Sequence, residues 1–414
     1  MKTKTILTLS ILSLVYLWSC DDSTNPIDDN WKLKRDLTVA EVKITEVDNK
    51  FGLKLFREIS KNQSDSNIFI SPLSVTMALG MTFNGAAGET QTAMRNTLEY
   101  GDLSIDEINQ SYYGLIDLLT SADSKVNFQI ANSIWYRNTF SVLADFINVN
   151  KKYFDAEVSA LDFDRSDAAD IINSWVNEKT NGKIKEIVPK PISSEMVMYL
   201  INAIYFKGSW TYEFSKDRTT DEPFFLSSGN SKTCKMMSHK SEHPYFQNEQ
   251  VQAIDLAYGN AGFSMTIFLP AIGSNVNTLI ESLNNDSWND WLSQFDTAEV
   301  SLFMPKFKLS YNLKMNDVLS TLGMETAFVP GLADFTKINA NGELYISEVM
   351  HKTFVDVNEE GTEAAAVTAV GVGCTSVGPE SPVMRIDRPF VFAIRERQSG
   401  TILFIGKIME PIIE

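Results

Sequence analysis

Apolar positions along this chain change period from one region to the next. Phe51, Leu55 and Ile59 recur at helical spacing and predict an amphipathic helix over 47–62. Ser71 followed by Pro72 is a helix start, because serine accepts from the first-turn amides and proline presets the first helical φ. The helix so opened, 73–83, is apolar nearly all round and therefore belongs inside. Small residues at 85–88 break it, and a third helix runs to Leu98. Helices are predicted at 104–122 and 143–154, with a strand at 126–136 between them. Ile171, Ile172, Trp175 and Val176 mark another helix over 168–180, which Asn181-Gly182 stops.

The second half reads mostly as strand. Residues 195–206 are apolar and rich in β-formers, the pattern of a central strand. Short β-like runs fill 222–269, and 276–293 is helical. A strand at 300–310, a short helix at 313–322 and a long strand at 343–358 follow. Residues 388–395 and 401–408 form a hairpin about Gln398-Ser399-Gly400. Early helices and later strands, without strict βαβ alternation, predict an α+β fold.

One stretch fits neither class. Residues 359–381 read EEGTEAAAVTAVGVGCTSVGPES, with no charge from Ala364 to Pro379. Its side chains are too small for a core, and too many are β-branched for a flexible linker. It has the composition of a strand and the position of a loop.

Composition narrows the function classes. A hydrophobic content of 44% with 21% charged residues allows a large globular core. The formal charge of −17 argues against a phosphate-backbone partner, so no nucleic acid is expected. Lys2 and Lys4 precede an apolar run from Ile6 to Trp18 that is too short to span a membrane. Residues 1–19 therefore read as a signal peptide. Leu17-Trp18-Ser19-Cys20 resembles a bacterial lipobox, which would make Cys20 the lipid attachment point. Ordinary cleavage nearby, with Cys20 incidental, is the alternative. Residues 20–46 read as a polar tether, and the chain as exported, either anchored by lipid at the cell envelope or surface or secreted. Beside Cys20 only Cys234 and Cys374 exist, which argues against a disulfide framework.

Four stretches resemble the serpin family, serine protease inhibitors. They are NIFISPLSVTMALGMTFNGAAGET from Asn67, NAIYFKGSWTYEFSKDRTTDEPF from Asn202, HKTFVDVNEEGTEAAAVTAV from His351 and DRPFVFAIRERQSGTILFIGKI from Asp387. INSWVNEKTNGKI from Ile172 and MPKFKLSYNLKMNDVLSTLGMETAF from Met304 add to the match, which spans 47–414 in family order. The resemblance implies one domain with three β-sheets, about nine helices and an exposed reactive-centre loop near 359–382. It implies a suicide substrate rather than an enzyme. A protease cuts the loop, forms an acyl-enzyme and is trapped when the loop inserts into the large sheet as a new strand. No cofactor or metal is implied, and the expected partner is a protease engaged by a monomer.

The residues themselves can be tested against insertion. Strand side chains alternate faces, and the family register places Thr362, Ala364, Ala366, Thr368, Val370 and Val372 inward. Glu363, the one charge in this half, falls on the outward set. A slip of one residue would bury it, so the sequence specifies the register. The hinge is Glu359, Glu360 and Gly361, whose glycine permits the required rotation. Counting from Gly361 puts the cut at Thr375–Ser376, with Val372, Gly373, Cys374 and Val377 as neighbouring subsites. A short Thr375 side chain suits elastase-like or subtilisin-like enzymes. Papain-like cysteine proteases, or a non-inhibitory serpin acting as a binding module, are the alternatives. The resemblance also implies a buried polar cluster of Ser71, Ser74, Asn202 and His351 where the sheet opens, and Trp210 at its top. His239 and His243 lack the motif context of a metal site.

Overall fold

The computed structural model describes residues 35–363 and 381–413. Its first helix, α1 (Val39–Asn62), starts inside the stretch read as tether. Thr38 and Glu41 form a reciprocal capping box, and Arg35 holds Glu41 through a two-pronged ion pair at 2.7 and 2.6 Å. The strand β1 (Ile68–Ile70) leads into α2 (Pro72–Phe83), where Ser71 caps by accepting from the Ser74 amide. Then come α3 (Gly88–Thr97), α4 (Ile105–Thr120), β2 (Val126–Arg137), α5 (Ala144–Phe154), β3 (Glu157–Leu161), α6 (Ala168–Lys179) and β4 (Met198–Ser209).

The chain continues through β5 (Thr220–Phe225), β6 (Ser231–Gln247), β7 (Val251–Tyr258) and β8 (Phe263–Pro270), then α7 (Val276–Ser282) and α8 (Asn285–Ser293). The single strand expected at 300–310 is two strands, β9 (Asp296–Pro305) and β10 (Phe307–Lys314), which part at Lys306 into different sheets. The helix expected at 313–322 starts only after β10 ends. Its halves, α9 (Asn316–Leu319) and α10 (Glu325–Phe328), flank a distorted turn where Gly323 has φ +117°. Last come β11 (Met350–Asn358), β12 (Gly361–Thr362), β13 (Val383–Arg385), β14 (Phe390–Glu396) and β15 (Ile402–Ile408).

Ladders gather these strands into two sheets. The larger has the order β1-β15-β14-β8-β7-β6-β9-β13, with β5 also on β6. The long β6 pairs with β5 over 231–236, with β9 over 236–245 and with β7 over 245–247, so it joins two sheets that the family pattern counts separately. The second sheet has the order β10-β11-β12-β4-β2-β3. Apolar α2 lies between the two, packed on β4 of one and β15 of the other. This sandwich of sheet, helix and sheet is what the all-round apolar pattern of α2 requires.

Candidate functional site

The turn leaving β11 is held from several sides. The Trp210 amide donates to the Glu360 carbonyl at 2.9 Å, and its indole Nε1 donates to the Asn358 carbonyl at 2.9 Å. The Phe214 amide donates to the Glu359 carbonyl at 2.9 Å. The Glu359 side chain is buried, accepts from Thr219 Oγ1 at 2.7 Å and pairs with Lys306 Nζ at 2.7 Å. Burial opposes ionisation there, but the bonds from Lys306 and Thr219 outweigh it and hold the carboxyl below its ordinary range. Glu360 pairs with Lys216.

Beyond the turn, two residues already sit in the sheet. Gly361 and Thr362 pair with Asn358 and Val357 of β11 on one side, and with Ser209 and Gly208 of β4 on the other. Gly361 has φ +147°, and a Cβ there would fall on the Gly208 carbonyl oxygen and 2.7 Å from Ser209 Cα. Only glycine fits this approach. Thr362 faces the core, 3% exposed, with its hydroxyl 2.6 Å from the Tyr258 hydroxyl. The Tyr258 ring stacks on Trp210 with centroids 4.4 Å apart.

Glu363 turns to the other face, where its side chain is covered rather than solvated. It is 5% exposed, beneath Lys183 of the segment that follows α6. Burial pushes its carboxyl up, and the Lys183 charge opposes that push. Its φ of +58° is left-handed, a departure from strand backbone at the end of β12.

Below Thr362 the ladder stops. β4 and β11 share no ladder with each other among the described residues, and β12 is their only bridge. The space between them is a groove lined by Leu200, Asn202 and Ile204 of β4 and by Ile346, Val349 and His351 from the approach to β11 and its start. Residues 343–349, expected to extend β11, belong to no strand: its ladder partner β10 ends at Lys314, opposite Met350, and the chain turns there into α9.

The polar cluster lies at the floor of this groove. Ser71 donates its amide to His351 Nε2 at 3.0 Å and its hydroxyl to the Leu403 carbonyl at 2.6 Å. Ser74 donates its hydroxyl to the Asn202 carbonyl at 3.4 Å, and Asn202 Nδ2 donates to Asn132 Oδ1 at 2.8 Å. Asn202 Oδ1 is buried without a hydrogen-bond partner. Burial pushes His351 down to about 4, so it is a neutral acceptor at physiological pH. The set contains no carboxylate to orient the histidine toward Ser71, and its serine hydroxyls are spent on backbone carbonyls. It is a network for holding α2 to both sheets, with no arrangement for hydrolysis.

Comparison with known proteins decides what this geometry belongs to. The family model described as serpin (serine protease inhibitor) matches residues 46–411. The chain belongs to the serpin family. The leukocyte elastase inhibitor of Equus caballus is 34% identical over 379 residues, covering 89% of this chain and 99% of that protein. Iripin-2 of Ixodes ricinus is 33% identical and covers 89% of this chain and 94% of that one. Among solved structures, the thermophilic serpin tengpin in its native state matches with a TM-score of 0.81 and 34% identity, over 91% of this chain and 95% of that one. The chain is a serine protease inhibitor and not an enzyme.

Within this serpin the structure brings together Glu359, Glu360, Gly361, Thr362 and Trp210 at the hinge, and Ser71, Ser74, Asn202 and His351 at the groove. Ala364, Ala366, Thr368 and Val370, the subsites Val372, Gly373, Cys374 and Val377, the bond Thr375–Ser376, and Cys20 lie outside the described residues. Cys234 is buried and free. His239 and His243 meet at 2.9 Å between Nε2 atoms, and Phe214 stacks on His239 at 4.1 Å. Burial pushes them down to about 4 and about 3. No group of three or more His, Cys, Asp or Glu among the described residues has metal-binding geometry. The residues that sequence reading missed are the hinge's partners: Tyr258, Thr219, Lys216, Lys306 and Lys183. Each is distant in sequence from what it holds, and no local pattern marks it.

Proposed function

We propose that this serpin traps its protease by taking the cleaved loop into the groove between β4 and β11 as a full strand. One observation carries the reading. β12 covers only Gly208 and Ser209, leaving the ten residues 198–207 of β4 unpaired on that edge among the described residues. The loop from Glu363 to Val372 supplies ten residues, none of them proline. About ten new ladder bonds at about 1 kcal/mol each would yield on the order of 10 kcal/mol, comparable with the whole stability of a domain.

The bait bond in this reading is Thr375–Ser376, and its small side chains suit proteases with a shallow apolar primary pocket. Relatives named leukocyte elastase inhibitor support an elastase-like target over a trypsin-like one. The test is incubation with pancreatic elastase, subtilisin and papain, followed by denaturing electrophoresis and mass spectrometry of the released fragment. A serine-protease adduct cut at Thr375–Ser376 is the expected result. Simple turnover with no rise in melting temperature after loop cleavage would sink the insertion reading and leave a binding module. An adduct with papain alone would assign the cross-class alternative.

The reading extends to the N-terminus: residues 1–19 direct export, Cys20 carries lipid, and the protein works as a monomer at the end of its tether. Labelled palmitate should enter the wild type and not Cys20→Ala. Equal labelling, or a freely secreted unlabelled product, would discard the anchor.

A further inference from the structure

Inward side chains of the hinge have an evident role, and the outward one has a partner of its own. Lys183 follows the Asn181-Gly182 stop of α6 and roofs the outer face of the six-stranded sheet. Its Nζ stands 3.4 Å from Glu363 Oε2 and 4.8 Å from the centre of the Phe354 ring on β11. Glu363 Oε2 is buried and has no aligned hydrogen bond, so Lys183 is its one ion-pair partner among the described residues. Tyr205 of β4 shares the recess, which Thr180 and Ile184 help to close. Burial, and then the charge of Glu363, push the Tyr205 phenol up to about 12.

The arrangement has a direction. With Thr362 seated, Glu363 already donates its amide to the Asp356 carbonyl at 3.0 Å and lies beside Lys183. Entry of residue 364 and those after it fills the groove below and leaves the place of Glu363 on the outer face unchanged. An expelled hinge would instead carry Glu363 into water, where a carboxylate needs no partner. The pair therefore forms when the hinge is seated and is lost when the hinge is expelled. We infer that Lys183 is a positioning residue for loop insertion, stabilising the hinge with Thr362 inward and Glu363 outward and so favouring trapping over hydrolysis of the acyl-enzyme. This role rests on the insertion reading above.

Lys183→Met keeps the apolar stem over Phe354 and removes the charge. The ratio of cleaved to trapped inhibitor should rise about five-fold, as for loss of a pair with one half-exposed member, while the association rate stays unchanged. Lys183→Arg should restore the wild-type ratio. Adding Glu363→Gln to Lys183→Met should bring the ratio to that of Glu363→Gln alone, because a neutral amide does not need the cation. An unchanged ratio in Lys183→Met overturns the assignment. So does a shift that Glu363→Gln leaves intact, since that traces the effect to the Phe354 contact. Should the wild type form no adduct, the insertion reading fails on its own account. Hydrogen exchange of the Thr362 and Glu363 amides in uncleaved protein then decides Lys183. Faster exchange in Lys183→Met, reversed by Glu363→Gln, supports the role; equal rates overturn it.

Discussion

Thr362→Arg bears most directly on the inward face of the hinge. Thr362 is 3% exposed, and its hydroxyl meets that of Tyr258 at 2.6 Å. Tyr258 is itself fully buried, stacked on Trp210 at 4.4 Å and edge-on to Phe206 at 5.0 Å. An arginine seated here would place a guanidinium among aromatic rings, at a cost of about 3 kcal/mol or more. That lowers the population of the seated hinge by a factor of about 100 or more. The uncleaved protein escapes the cost by leaving the hinge in solvent, so its melting temperature should fall by only a few degrees. Insertion after cleavage has no such escape. Titration of active-site-quantified elastase with wild type, Thr362→Ser and Thr362→Arg measures the competition. Thr362→Ser keeps the hydroxyl and should stay near wild type. Thr362→Arg should give about ten-fold less denaturant-resistant adduct, a conservative fraction of the 100-fold limit, with cleaved inhibitor accumulating instead. Equal stoichiometry for wild type and Thr362→Arg would refute the inward placement of residue 362.

Gly361→Ala puts a Cβ onto the Gly208 carbonyl and forces a side chain into φ +147°; it should expel β12 and speed hydrogen exchange at the Trp210 and Phe214 amides, and unaltered exchange would count against the fit. Asp48 is buried with Oδ2 unpartnered, and burial lifts its carboxyl from 3.8 to about 7. A raised acid favours the protonated fold, so its contribution is complete below about 3.8 and is lost as pH rises through about 7. Between about pH 4 and pH 7 the denaturant midpoint of the wild type should therefore fall relative to that of Asp48→Asn; parallel curves over that range would contradict this. His239 and His243 work in the opposite sense, since burial lowers them from 6.5 to about 4 and about 3. Their contribution is present above 6.5 and lost as pH falls toward 4, so His243→Phe should flatten the acid limb of the stability curve, and coincident limbs would exclude the pair as its source.

Local chemistry made a good part of this serpin readable from its residues alone. Ser71-Pro72 opens α2, Asn181-Gly182 ends α6 and Gln398-Ser399-Gly400 turns the last hairpin, because caps and turns are set by a few neighbouring dihedrals. The start of α1 was harder to see. Val39 and Val42 are 88% and 54% exposed, so apolar periodicity does not mark that turn, although the capping box of Thr38 and Glu41 does. The alternation from Thr362 onward, with Glu363 as its one charge, was likewise a property of sequence, because strand side chains alternate whatever they pair with.

What the sequence could not carry is which strand edge stays open and what grips the hinge. The run through 296–314 divides between two sheets at Lys306, and that turn also delivers the Lys306 ammonium to Glu359, 53 residues away. Thr219 reaches the same carboxylate from 140 residues away, and Tyr258 reaches Thr362 from 104. No periodicity spans such separations, since each contact depends on how whole sheets are stacked. The groove follows the same rule. β4 and β11 are each sound strands by composition, but only their placement on opposite sides of β12 leaves a strand-wide opening beneath Gly361 and Thr362.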